Sequence, residues 1–202
     1  MQALMLALMV PLMLLNFFGG IASGIWLGFL GEWWAIGYGL LGIVTSHFLL
    51  GFAMMPGIIF GAPAIALAQK GRLVLAFPFL LLSQIYTYAI IVVWCGFVFF
   101  GFVSHANQYS FWPLLIWSYG VALGPLMYMA QRESQAGTGE ASTMTTFFAQ
   151  IAYVVMAIFA ATKRMAFVDL MLIFSAIMFI GMLIQVGFAV AITREQKRLG
   201  FM

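Results

Sequence analysis

The chain has 202 residues, 65% of them hydrophobic and only 6% charged, against roughly 25% charged in ordinary soluble domains. With a mean hydropathy of +1.13, it has too little polarity to cover a water-facing surface, whereas a lipid-facing surface needs none. A soluble globular domain is therefore excluded. The eight basic residues are dispersed over short loops and the tail, so the net charge of +3 does not form a patch for nucleic acid.

This composition specifies an all-α integral membrane protein with about six transmembrane helices, short loops and one polytopic domain over 1–202. The first apolar run, 4–30, has no basic segment ahead of it and no small-residue cleavage site after it. It is expected to be a retained helix and not a secretory signal. It closes at Gly31 and Glu32, next to the interfacial pair Trp33 and Trp34. The second run, 35–68, is interrupted by Pro56, Gly57 and Pro63. It is longer than a ~30 Å hydrocarbon core requires at ~1.5 Å per residue, so it is expected to kink or break near Pro56. If it breaks, 56–69 forms a separate short helix.

Lys70, Gly71 and Arg72 mark a loop, and a third span covers 73–103. Its lone Cys95 lies inside the apolar run, where it reads as a small buried hydrophobe. The fourth span, 112–130, contains Gly124 and Pro125. The polar stretch from Gln131 to Thr143 reads as a flexible loop. The fifth and sixth spans are 143–162 and 167–192, followed by a charged tail. With six spans and an internal N-terminus, Lys70, Arg72, Arg132, Arg194, Lys197 and Arg198 fall on one side, with only Lys163 and Arg164 opposite. That asymmetry predicts an inner-membrane protein with both termini in the cytoplasm.

Gly20, Gly24 and Gly28 recur every four residues, with Asn16 one turn earlier. They predict a smooth helix face for close packing, within the bundle or against another subunit. His47, preceded by Thr45 and Ser46, is the histidine inside an apolar run. A neutral imidazole at that depth suits a hydrogen bond to a neighbouring helix, or ligation of a haem or pigment. Gln84, Gln150 and Gln185 are the intramembrane amides that would line a polar route. Gln84 and Gln185 sit in loosely similar strings, the faint signature of an inverted repeat. Glu32, His105, Lys163, Arg164 and Asp169 collect on the outer side, where Asp169 is expected to pair with Lys163 or Arg164.

No metalloprotease, nucleophile-elbow or phosphate-loop motif occurs, so no catalytic residue and no metal ligand set is assigned, and the cofactor is unknown. The leading reading is a non-catalytic membrane subunit or scaffold, in contact with membrane lipid and associating through helix faces as a homo-oligomer or with a membrane-protein partner. A small-solute transporter or channel is the alternative. Pigment or haem binding through His47 is the third.

Overall fold

The computed structural model describes the backbone of residues 2–135, 139–163 and 165–198. Side chains within those ranges are described except at 2–6, 8, 50, 52–54, 56–58, 132–135, 139–142, 163, 193, 196 and 197. The described residues form six α-helices and no strand: α1 Gln2–Phe29, α2 Trp33–Gln69, α3 Leu73–Val103, α4 Phe111–Gln135, α5 Gly139–Lys163 and α6 Phe167–Arg198.

Among the described residues, five stretches are long and apolar enough to cross a membrane: Met9–Phe29, Leu73–Val103, Phe111–Gln131, Thr143–Thr162 and Phe167–Ile192. α2, which contains no Asp, Glu, Lys or Arg along its 37 residues, brings the approximate number to six. The protein is an all-α, multi-pass membrane protein.

The two tight turns are built by glycine. Gly31 and Gly71 have φ of 77° and 72°, the left-handed region that other residues enter only with strain. Each ends a helix in the same way. Glu32 N–H donates to the Leu27 carbonyl and Arg72 N–H to the Leu67 carbonyl, both at 2.9 Å. A glycine with this six-residue closing bond satisfies carbonyls that the helix end would leave bare. The α3–α4 connection is a polar turn instead. Asn107 Oδ1 accepts from the N–H groups of Tyr109 and Ser110, at 2.9 and 2.8 Å, just ahead of α4.

Of the two alternatives for the second run the structure takes the unbroken one: α2 runs as one helix through Pro56 and Pro63, and 56–69 is not a separate element. A transmembrane helix tolerates proline because its surroundings can take up the freed backbone groups. Most of the polar stretch 131–143 is helical and not the expected loop, leaving a connection at 136–138 that lies outside the described residues. Gln, Arg, Glu, Ala and Met all favour helix, and polarity alone does not end one.

α3 and α4 form the centre: α4 packs on α1, α2, α3 and α5, and α3 on α2, α4 and α6. α1 and α2 touch each other little, and both pack on α4. Phe99, Phe102, Leu114, Leu123, Met156 and Phe174 are fully or almost fully buried between these helices. Lipid is as apolar as these side chains, so their association rests on dispersion contacts and close fit.

Trp117 on α4 shows how that fit is obtained. Its ring carbon Cζ3 lies 3.2 Å from the place a Cβ on Gly24 of α1 would occupy, and a Cβ on Gly39 of α2 would collide with its indole nitrogen. That nitrogen, Nε1, donates to the Ala35 carbonyl at 3.0 Å. The indole is wedged between α1 and α2, closely fitted at Gly24 and with room only for glycine at Gly39.

Candidate functional site

Inside the bundle the polar side chains are largely matched in pairs across helices. Tyr88 on α3 donates its hydroxyl to Gln185 Oε1 on α6 at 2.8 Å, and Thr145 on α5 donates to the same oxygen at 3.3 Å. Tyr119 on α4 donates to Gln150 Oε1 on α5 at 3.0 Å. Ser118 and Tyr153 share a hydroxyl contact of 2.6 Å, and Trp94 Nε1 donates to the Ala122 carbonyl at 3.2 Å. Gln150 Nε2 is buried without a partner among the described residues. Such bonds lock the register of apolar helices, each contributing on average about 0.6 kcal/mol. Gln84, by contrast, is half-buried and makes no hydrogen bond among the described residues. Two of the three amides are thus bonded to tyrosines, Gln185 to Tyr88 and Gln150 to Tyr119.

His47 has a different environment. Thr45, Ser46 and His47 all turn back on their own helix. Thr45 donates to the Leu41 carbonyl and Ser46 to the Ile43 carbonyl, each at 2.8 Å, and His47 Nδ1 lies 2.8 Å from that same Ile43 oxygen. A carbonyl only accepts, so Nδ1 carries the proton and Nε2 of the neutral ring is left as an acceptor. His47 is exposed on the outer surface of the bundle, and Nε2 has no partner among the described residues. The imidazole lies between the two ends of α2, fourteen residues from Trp33 and twenty-three from Lys70, so with both ends at the membrane interfaces it falls inside the hydrocarbon layer. Beside it lies a shallow cavity of about 280 Å³ between α2 and α4, lined by Ile43, His47, Gly120, Gly124, Pro125 and Tyr128. The Tyr128 ring is 5.8 Å from the imidazole.

His105 is not brought near His47. It follows the C-terminus of α3, with its ring 5.5 Å from Trp34 and its Nδ1 3.0 Å from the Gly101 carbonyl. Among the described residues there is no group of three or more His, Cys, Asp or Glu that could hold a metal ion. Glu32 accepts a hydrogen bond from Trp34 Nε1 at the same end of the bundle. Asp169 is exposed in the first turn of α6, where the positive end of the helix dipole favours a carboxylate. The side chains of Lys163 and Arg164, expected to pair with it, lie outside the described residues.

The glycine face of α1 lies against its own chain. Asn16 Nδ2 donates to the Met127 sulfur on α4 at 3.2 Å. Gly24 meets Trp117, Gly28 meets the ring of Trp33, and Gly20 is buried with open space where a Cβ would be. Sequence reasoning missed the corresponding face of α2. Ala35, Gly39, Gly42 and Ser46 recur at spacings of four, three and four, a small-residue stripe as regular as that of α1. It also missed Tyr119, Tyr153 and Ser118. Their hydroxyls sit among apolar residues without a pattern that marks them as partners.

Comparison with protein-family models, with curated proteins and with solved structures finds no match.

Proposed function

We propose that this protein is a non-catalytic multi-pass membrane subunit that associates with a second copy of itself, or with a partner membrane protein, through the α2 face bearing Thr45 and His47. The observation that carries the reading is the outward His47 Nε2, a bare acceptor at hydrocarbon depth. Ionisable and polar groups at that depth face protein or water far more often than lipid. A donor from an adjoining helix satisfies the imidazole, and the shallow floor of Gly120 and Gly124 lets that helix approach closely. The buried hydroxyls and amides are mostly committed to each other, as suits a bundle whose interior polar groups hold its helices together.

The same reading places the protein in the inner membrane with both termini cytoplasmic. The fold gathers the Lys70–Arg72 turn and the C-terminal end of α6 at one end of the bundle.

The test is purification of the full chain in mild detergent, with and without His47→Leu, followed by native mass spectrometry and absorbance. A colourless homo-oligomer or stoichiometric complex is expected, and His47→Leu should dissociate it while the melting temperature stays unchanged. A single chain that stays alone, or an assembly indifferent to the substitution, overturns the subunit reading. A visible chromophore lost with His47 would establish pigment binding instead. Solute flux through reconstituted single chains would establish transport.

A further inference from the structure

At the Lys70 end of the bundle, α2, α3 and α6 enclose a groove of about 590 Å³, within the roughly 300–1,000 Å³ of small-ligand sites. Its walls are apolar, from Ala64, Ala68, Leu73, Phe77 and Val190 among others, and among the described residues its one charged lining residue is Arg194. We propose that this groove is a specific site for an anionic phospholipid, with an acyl chain along the apolar walls and the phosphate on Arg194.

Three observations carry the assignment. The first is depth. The apolar stretches of the three helices stop together: Ile59–Gln69 just before Lys70, Leu73–Val103 just after Arg72, and Phe167–Ile192 two residues before Arg194. The walls therefore lie in the hydrocarbon layer while Arg194 stands at the level of lipid head groups. The second is charge. Arg194 is exposed and makes no ion pair among the described residues, and Lys70 and Arg72 are exposed on the turn that borders the groove. The third is the absence of a competing acid. Among the described residues no carboxylate lines the groove, and Glu195, the neighbour of Arg194, is engaged by Arg198 at 3.2 Å. A zwitterionic lipid offers the same chains but a head group with no net charge, so the cations confer preference for an anionic one.

The full chain, stripped of lipid in mild detergent, is to be titrated with phosphatidylglycerol or phosphatidylcholine of identical acyl chains and followed by native mass spectrometry. One phosphatidylglycerol per chain is expected, bound roughly fivefold or more tightly than phosphatidylcholine. Arg194→Gln, a change at an exposed position, should sharply reduce that preference while leaving the melting temperature intact. Ala68→Phe, which fills the groove, should weaken both lipids. Equal retention of the two lipids by the unmodified protein overturns the proposal, as does undiminished preference in Arg194→Gln. Displacement of phosphatidylglycerol by equimolar inorganic phosphate would reduce the site to a phosphate site and overturn the acyl-chain assignment. Should Ala68→Phe fail to fold, the lipid pair and Arg194→Gln still decide the question.

Discussion

Trp117 makes an alanine scan of the glycines decisive, because the same substitution meets three different surroundings. At Gly20 an added methyl meets nothing within 4 Å. Gly20→Ala should stabilise by about 0.8–1 kcal/mol, the helix preference of alanine over glycine. At Gly24 the methyl arrives 3.2 Å from Cζ3 of Trp117, so the ring must yield a few tenths of an ångström. Gain and loss there nearly cancel. At Gly39 the methyl collides with the indole nitrogen and drives it from the Ala35 carbonyl, now 3.0 Å away. Overpacking costs about 1–3 kcal/mol, and the lost hydrogen bond adds about 0.6 kcal/mol. Against this stands the same helix-preference gain, so Gly39→Ala should destabilise by about 1–3 kcal/mol. Gly20→Ala and Gly39→Ala are thus separated by about 2–4 kcal/mol. At roughly 2–4 °C per kcal/mol for a chain of this size, their melting temperatures should differ by roughly 4–16 °C. Thermal unfolding of the three variants in one detergent measures this directly. If Gly39→Ala melts with or above Gly20→Ala, Trp117 is not wedged against α2 and the packing argument fails.

Removing the Tyr119 hydroxyl should cost more than removing the Tyr88 hydroxyl. Tyr119→Phe leaves Gln150 with both amide atoms unmatched, whereas Gln185 keeps Thr145 after Tyr88→Phe. Expected losses are about 1–2 and about 0.5 kcal/mol, and Tyr119→Phe combined with Gln150→Leu should recover most of the larger one. A double-mutant cycle by thermal unfolding checks both, and additive single effects would remove the pairing. The charge asymmetry predicts that a C-terminal reporter active only in the cytoplasm will work while a periplasm-active one stays silent. The opposite result would reverse the topology.

What the sequence determined by itself was the class of solvent and the sequence of elements. A chain with 6% charged residues can be covered only by lipid, and lipid forces each backbone group to be satisfied within a helix. The turns at Gly31 and Gly71 were legible from Glu32, Lys70 and Arg72, which interrupt the apolar runs, and the structure adds the positive φ that glycine takes there without strain. The end of α4 and the start of α5 were misread as loop because hydropathy reports where lipid stops, not where a helix stops. Partnership was left to the tertiary structure. Gly24 announced close packing from its spacing, but that the approaching group is Trp117, 93 positions away, is a fact of helix arrangement. His47, Gln150 and Gln185 looked alike as isolated polar residues in apolar runs. The fold turned Gln150 and Gln185 inward to tyrosines and left His47 facing out. In lipid an apolar side chain is nearly indifferent to which face of its helix it occupies, so hydrophobic pattern does not orient these helices. Steric fit around glycines and the few buried hydrogen bonds do, and both exist only once the helices have met.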